Sequence, residues 1–357
     1  MSTSPRPASS AGQDAYAGAV DHYTSPTRRD WVKRTWEEPE LVRVLDAAVR
    51  ATGGGDLSVL DVGCGAGVAL ELLQATPTVT ATDGPTVRYL GVDLDPDLLA
   101  VAERRFADEH TSFTRADVRD LLPGAPHDLY LSTGVPYSHL TREELSAVLT
   151  GALAAARTRP RPTVLVIDVL GRYSIEWTTR WEQTRWEYRM SFFNTDQAVT
   201  STPMTTYGGA ELEELVRAAA DAAGCALARV DLVDRSLVVG RHTGTGEYTP
   251  GLRPYRRLLN ELADPAELVD LAQLRLGDLE LPEGPAPVRG FLDDFRARWD
   301  ERVGATETAA RGRPSEEVAA ELQPALAAEL RAVELTSQPG LGVGHSLTAT
   351  VVTAPGG

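Results

Sequence analysis

The stretch Val59-Leu60-Asp61-Val62-Gly63-Cys64-Gly65-Ala66-Gly67 constrains this fold more than any other part of the chain. An apolar run breaks into a turn with glycine at alternate positions, and the spacing of apolar residues in VALELLQA then opens a helix. Glycine removes the Cβ atoms that hold a ligand away from the backbone and permits the positive φ angles of a sharp strand-to-helix turn. Such a turn marks a nucleotide-type ligand site at a strand end. It is not the dinucleotide fingerprint G-x-G-x-x-G, because here G-x-G-x-G stands behind an acid.

Downstream, strands and helices alternate. Strand RYLGVD, helix PDLLAVAERRFADE, strands TSFTRAD and DLYLSTG, helix TREELSAVLTGALAAART and strand TVLVIDVL follow one another up to residue 170. That order predicts an α/β, doubly wound and mostly parallel sheet with helices on both faces. A helix GAELEELVRAAADAAG comes next. The apolar runs CALARVDLV and SLVVGRH then flank Asp234-Arg235, which reads as a hairpin on the sheet edge.

Three segments lie outside this alternation. Residues 1–50 read as a disordered Ser/Pro/Ala-rich leader followed by a helical cap, whose apolar residues from Trp31 to Val49 predict one or two short helices broken near Pro39. Residues 171–206 carry Tyr173, Trp177, Trp181, Trp186, Tyr188, Phe192 and Phe193, and form a lid or substrate insertion within residues 51–243. Loops at the carboxyl ends of parallel strands border the ligand crevice, so aromatics there either cover a substrate or build a satellite core. Residues 244–357 read as a mainly helical C-terminal extension, with a last β-branched segment, HSLTATVVTA, able to join a sheet edge. Its role in packing, lid formation or a homodimer is open.

The net charge of −16 over 357 residues argues against nucleic acid as a partner, which needs clustered Lys and Arg. Cys64 and Cys225 sit in a buried turn and at a strand start, which suits a reducing, cytoplasmic compartment. No apolar run approaches a membrane span, and no Cys/His set has metal-ligand spacing.

The D-x-G-x-G-x-G form resembles motif I of the class I, Rossmann-like S-adenosylmethionine (SAM)-dependent methyltransferases, small-molecule type, over about residues 55–243. The resemblance implies a seven-stranded sheet in the order 3-2-1-4-5-7-6, with the last strand antiparallel. It implies SAM as cofactor and S-adenosyl-L-homocysteine as product. The methionine end then falls to Asp61 and the turn Gly63, Cys64, Gly65 and Gly67. The ribose diol needs an acid at the end of the second strand. Asp93 fits, with a helix opening at Pro96; Asp83 lies closer to the usual interval but is followed by Gly-Pro and no helix. Leu94 would touch the adenine face, Asp117 and Val118 would take the adenine edge, and Ser132 and Thr133 would line the pocket after the fourth strand.

Methyl transfer is an in-line displacement in which the protein aligns acceptor and methyl and excludes water. A base is needed only for a hydroxyl or a protonated amine. In Tyr137-Ser138-His139-Leu140 the resemblance makes His139 the candidate base, with a helix-capping role equally open. Asp168, Tyr173 and Glu176 follow the fifth strand, where substrate-facing groups sit, although Asp168 also reads as a buried turn acid. His242 reads as a surface residue. Tyr16 and Tyr23 are candidates to fold over the methionine end. The expected activity is methyl transfer to a small organic acceptor such as a secondary metabolite, with oxygen favoured. The alternative is a methyltransferase-like protein that catalyses cyclisation or rearrangement, or binds without turnover.

Overall fold

The computed structural model describes residues 29–120, 126–189 and 201–356, together with Val20 and Ser25. The leader before Val20, Tyr16, Tyr23, Phe192 and Phe193 lie outside the described residues.

Five strands form the centre of the parallel sheet: β1 Leu57–Val62, β2 Val87–Asp93, β3 Thr111–Arg115, β4 Leu129–Leu131 and β5 Val164–Gly171. They lie in the order β3-β2-β1-β4-β5. β4 and β5 are buried along their whole length, as expected for strands covered on both faces. Register aligns Asp61 with Gly91, Asp93 with Arg115 and Leu131 with Val166, so the loops leaving each strand meet at one edge. Helices α1 Glu38–Ala51, α2 Val68–Gln74, α3 Pro96–Phe106, α4 Arg142–Ala156 and α5 Gly209–Ala223 cover the faces. Local chemistry sets two of their starts. The Asp95 side chain accepts from Asp97 N and Leu98 N, and Thr141 with Glu144 forms a capping box. Pro39 does not break the N-terminal helix: it sits in the first turn of α1, where a missing N–H costs nothing, behind a π-helical turn Lys33–Glu37.

The expected hairpin after α5 does not form. Asp234 and Arg235 belong to one strand, β8 Leu227–Arg235, and its partner is β9 Ser346–Thr353 from the end of the chain. β9 lies antiparallel between β5 and β8, pairing Val164 with Val352 and Leu170 with Ser346 on one side. The order implied by the resemblance is kept, but its antiparallel strand comes from some hundred residues further on. Two features divert 236–242 from the sheet. Ser236 adopts φ 58°, a left-handed conformation uncommon outside glycine. The amides of Leu237 and Val238 then donate to the Glu334 carboxylate, each at 3.0 Å, instead of to a strand.

The segment after β5 forms a 3₁₀ stretch Ile175–Arg180 and an antiparallel pair, β6 Arg185–Arg189 with β7 Ser201–Tyr207. β7 pairs with β5 only at Leu170 and Gly171, past the end of β4, which carries the pair over the carboxyl edge. Its aromatics do pack as a core: Trp177, Trp181 and Trp186 are buried together with Leu258 and Trp299 of the helical segment. That segment contains α6 Tyr255–Leu262, α7 Ala286–Ala310 and α8 Gln323–Leu335, while 266–276 supplies only a short turn, Leu271–Leu274. Among the described residues no helix is long and apolar enough to cross a membrane.

Candidate functional site

At the end of β1 the backbone turns sharply, and the amides of Gly63 and Cys64 donate to Val92 O at 2.8 and 3.1 Å, fastening the turn to β2. The three glycines serve different ends. Gly65 has φ +51°, and a Cβ built there would meet nothing nearer than 4.0 Å, so its constraint is conformational. A Cβ on Gly63 would lie 2.5 Å from Pro136, and one on Gly67 2.8 Å from the Phe106 ring, so those two permit close packing.

The Gly65 amide donates at 2.8 Å to Asp93 Oδ2, while Asp93 Oδ1 accepts from Asp95 N at 2.9 Å. Burial pushes the Asp93 carboxyl up, and the backbone donors only partly oppose it. Asp93, Leu94, Val118 and Thr133 border one cavity with Cys64 and Gly65. Its volume of about 500 Å³ lies within the range of roughly 300–1,000 Å³ for small-molecule sites. Asp83, the competing acid, is exposed. Asp117 also borders the cavity, but its oxygens already accept from Arg119 Nε at 2.9 Å and Nη2 at 2.5 Å. Burial opposes the Asp117 charge and Arg119 outweighs it, leaving the carboxyl below its ordinary range. As an acceptor for an adenine edge it is therefore largely occupied.

Asp61 and Ser132 are not on the cavity wall. Asp61 is buried; its Oδ2 accepts from the Tyr89 hydroxyl and its Oδ1 has no partner among the described residues. Burial lifts its carboxyl to about 7, against the Tyr89 bond. Ser132 is fully buried, with an unpartnered Oγ. A carboxylate beneath the turn with a spare acceptor atom suits a cofactor carrying an ammonium and a sulfonium, and the open face of Gly65 suits close approach of its methionine end. The residues present fit SAM.

The far end of the cavity is bordered by His139, Arg185, Tyr188, Met204 and His345. Val135, which leads into the 3₁₀ turn Pro136–His139, has φ 62°, a strained geometry for a β-branched residue. His139 borders the cavity, but burial and then Arg185 push its ring down to about 4, which makes it a weak base. Asp168 is a bonding hub. It accepts from Gly134 N at 2.8 Å, Arg235 Nη2 at 2.7 Å, Thr348 Oγ1 at 2.9 Å and the Ser346 hydroxyl, so its acceptor capacity serves the fold. Tyr173 lies off the wall, edge-on to Trp181 with ring centroids 5.6 Å apart. His242 is buried, contrary to the surface reading; its ring meets Tyr188 at 4.7 Å, and burial lowers it to about 4.

Two groups at this end escaped the sequence reading. Arg185 donates to the carbonyls of His139 and Leu140 and to Thr205 Oγ1, with no carboxylate among its partners in the described residues. His345, immediately before β9, donates from Nδ1 to the fully buried Glu176 at 2.5 Å. The one local signal for His345 was the run Gly340-Leu341-Gly342-Val343-Gly344 that precedes it.

A doubly wound sheet, a glycine turn fastened to a strand-end aspartate, and a cavity running on from that turn make up a Rossmann-like cofactor site. Residues 59–159 match the family model described as a methyltransferase domain. No curated protein sequence matches it. Similar solved structures include a Mesorhizobium loti SAM-dependent methyltransferase, 17% identical over 53% of this chain and 82% of that one, with TM-score 0.38. A Haloferax volcanii methyltransferase in complex with a methyltransferase activator is 15% identical over 97% and 98%, with TM-score 0.45. An amino pentose methyltransferase of Micromonospora echinaspora is 20% identical over 60% and 91%, with TM-score 0.40.

Proposed function

We propose that this protein transfers the methyl group of SAM to a small organic acceptor, at oxygen, in a pocket shared between the sheet edge and the aromatic segment. The observation that carries this reading is the continuity of one cavity from Gly65 and Asp93 to Tyr188, Met204 and His345. Cofactor and acceptor can therefore meet out of bulk water, as an in-line displacement requires. Asp93 would hold the ribose diol and Leu94 the adenine face, with Asp61 balancing the cofactor's positive end from beneath the turn. Tyr188 and Met204 offer an apolar wall to a flat acceptor, such as a secondary metabolite, and Arg185 adds a cation beside it. A nucleic-acid substrate is disfavoured by the net charge of −16. The two buried, unpaired cysteines fit a reducing compartment such as the cytoplasm.

The test is calorimetry with S-adenosyl-L-homocysteine, followed by mass spectrometry of small hydroxyl, amine and activated-carbon acceptors incubated with protein and SAM. The expected result is cofactor binding and a gain of one methylene unit on hydroxyl acceptors. Absence of cofactor binding, or transfer confined to amines or carbon, overturns the reading.

A further inference from the structure

We propose that His345, oriented by Glu176, is the base that takes the proton from a hydroxyl acceptor as it is methylated. The proposal rests on the methyltransferase reading above and deepens it by fixing the acceptor as an alcohol or phenol that must lose its proton.

Glu176 is fully buried, a costly place for a carboxylate unless its oxygens are paired. The chain is built around it. Oε1 accepts from His242 N at 2.5 Å and Thr243 N at 3.1 Å, and Oε2 accepts from His345 Nδ1 at 2.5 Å. A Cβ on Gly240 would lie 2.1 Å from Oε2, so only glycine admits the carboxylate there. Burial opposes ionisation of Glu176, yet His345, His242 and the backbone donors hold it below its ordinary value. The carboxylate is kept charged, and the imidazole donates to it through Nδ1. Nε2 is left as the lone-pair nitrogen of a ring that borders the cavity.

The imidazole is held from several further directions. Gly171 N donates to His345 O at 3.3 Å and His345 N donates to Ser236 O at 3.0 Å, placing the residue where β5 ends and β8 is left. The Trp177 ring lies 5.4 Å away, centroid to centroid. Immediately before it, the Asp234 carboxylate collects the amides of Leu341, Gly342, Val343 and Gly344 at 2.7 to 3.2 Å. Asp234 is therefore a positioning residue: it fixes the glycine-rich approach to β9 and so the height of His345 above the sheet. Support of this kind around one side chain is what a reacting group requires.

In the proposed step the acceptor O–H gives its proton to His345 Nε2 while its oxygen bonds to the methyl carbon. The carbon–sulfur bond breaks with its electron pair left on sulfur, yielding the neutral thioether, and the imidazolium later returns the proton to solvent. The proposal gives this role to His345 rather than to His139, whose ring burial and then Arg185 push down.

Two measurements test the proposal. In protein labelled with ¹⁵N-histidine and saturated with S-adenosyl-L-homocysteine, His345 should show a protonated Nδ1 and a bare Nε2, with the preference weakened in Glu176→Gln. With SAM and phenols of graded acidity as probes, His345→Asn should bind S-adenosyl-L-homocysteine as the wild type does. It should lose about 10²–10⁴-fold in kcat on the least acidic phenols, the loss shrinking as the phenol becomes more acidic. An Nε2-protonated tautomer, or a His345→Asn enzyme that keeps wild-type kcat on weakly acidic phenols, overturns the proposal. A wild type that binds S-adenosyl-L-homocysteine but methylates no phenol counts against the function proposed above, and the tautomer then judges the dyad by itself.

Discussion

Two aspartates near the glycine turn, Asp61 buried and Asp93 partly so, do different work. Asp93 borders the cavity while holding the Gly65 amide, so the cofactor contact proposed for it and the turn geometry would meet in one side chain. Asp93→Asn should weaken S-adenosyl-L-homocysteine by about 1.5–3 kcal/mol, the worth of a hydrogen bond to a charged group, or tenfold and more in Kd. Unchanged affinity by calorimetry would remove Asp93 from the site. The role proposed for Asp61 is one of charge. Its carboxyl, lifted to about 7 by burial, is part protonated at neutral pH, and an arriving ammonium favours the ionised form. Cofactor uptake near pH 7 should therefore release protons, and affinity should rise as pH climbs from about 6 to 8. Calorimetry in buffers of different ionisation enthalpy reads this directly. Identical apparent enthalpies in all buffers would sink the linkage, and Asp61→Asn should abolish it.

At the level of elements, β9 ties the site to the far end of the chain. Asp168 of β5 holds Arg235 of β8 and both Ser346 and Thr348 of β9, besides the Gly134 amide. Asp168→Ala leaves a nearly buried guanidinium without its carboxylate, which predicts a loss of about 3–5 kcal/mol in denaturant unfolding. A loss under 1 kcal/mol would show that the hub is not structural. β9 also marks where sequence reading stops. The glycine turn, the strand-end position of Asp93 and the Thr141–Glu144 cap rest on residues within a few positions of each other, and each could be read from pattern. The β-branched content of 346–353 identified a strand, but nothing within those residues says that it enters the sheet between β5 and β8. The false hairpin has the same cause. Asp234-Arg235 between two apolar runs looks like a turn until Glu334, nearly a hundred residues away in sequence, takes the amides of Leu237 and Val238. The Glu176–His345 contact spans a still longer separation, so no local spacing could have revealed it.

Across the whole molecule, the helical segment between β8 and β9 is a loop of the sheet domain rather than an appendage. It leaves from β8, shares a core with the aromatics after β5, and returns through β9. Glu334 lies at this junction, fully buried, and burial lifts its carboxyl from 4.5 to about 7 despite its backbone donors. A carboxyl whose folded value exceeds its unfolded one holds a proton that the unfolded chain has released. Its contribution to stability is complete below about pH 4.5 and is lost as pH rises through about 7. Asp61 acts in the same direction, between 3.8 and about 7. Glu37 and Glu176, both held below 4.5, act in the opposite sense, and their contributions are lost only as acid brings pH down through their lowered values. His139 and His242, pushed down from 6.5 to about 4, add stability as pH rises toward 6.5 and offset the two carboxyls there, so Tm should fall mainly between about pH 6.5 and 8. Glu334→Gln, neutral at every pH and still able to accept from an amide, should flatten that slope, and adding Asp61→Asn should flatten it further. Because the two cores meet through Glu334 and β9, calorimetry should also show one unfolding transition in both proteins. An unchanged pH slope in Glu334→Gln would deny Glu334 its titration, and a second transition would show that the helical segment folds independently of the sheet.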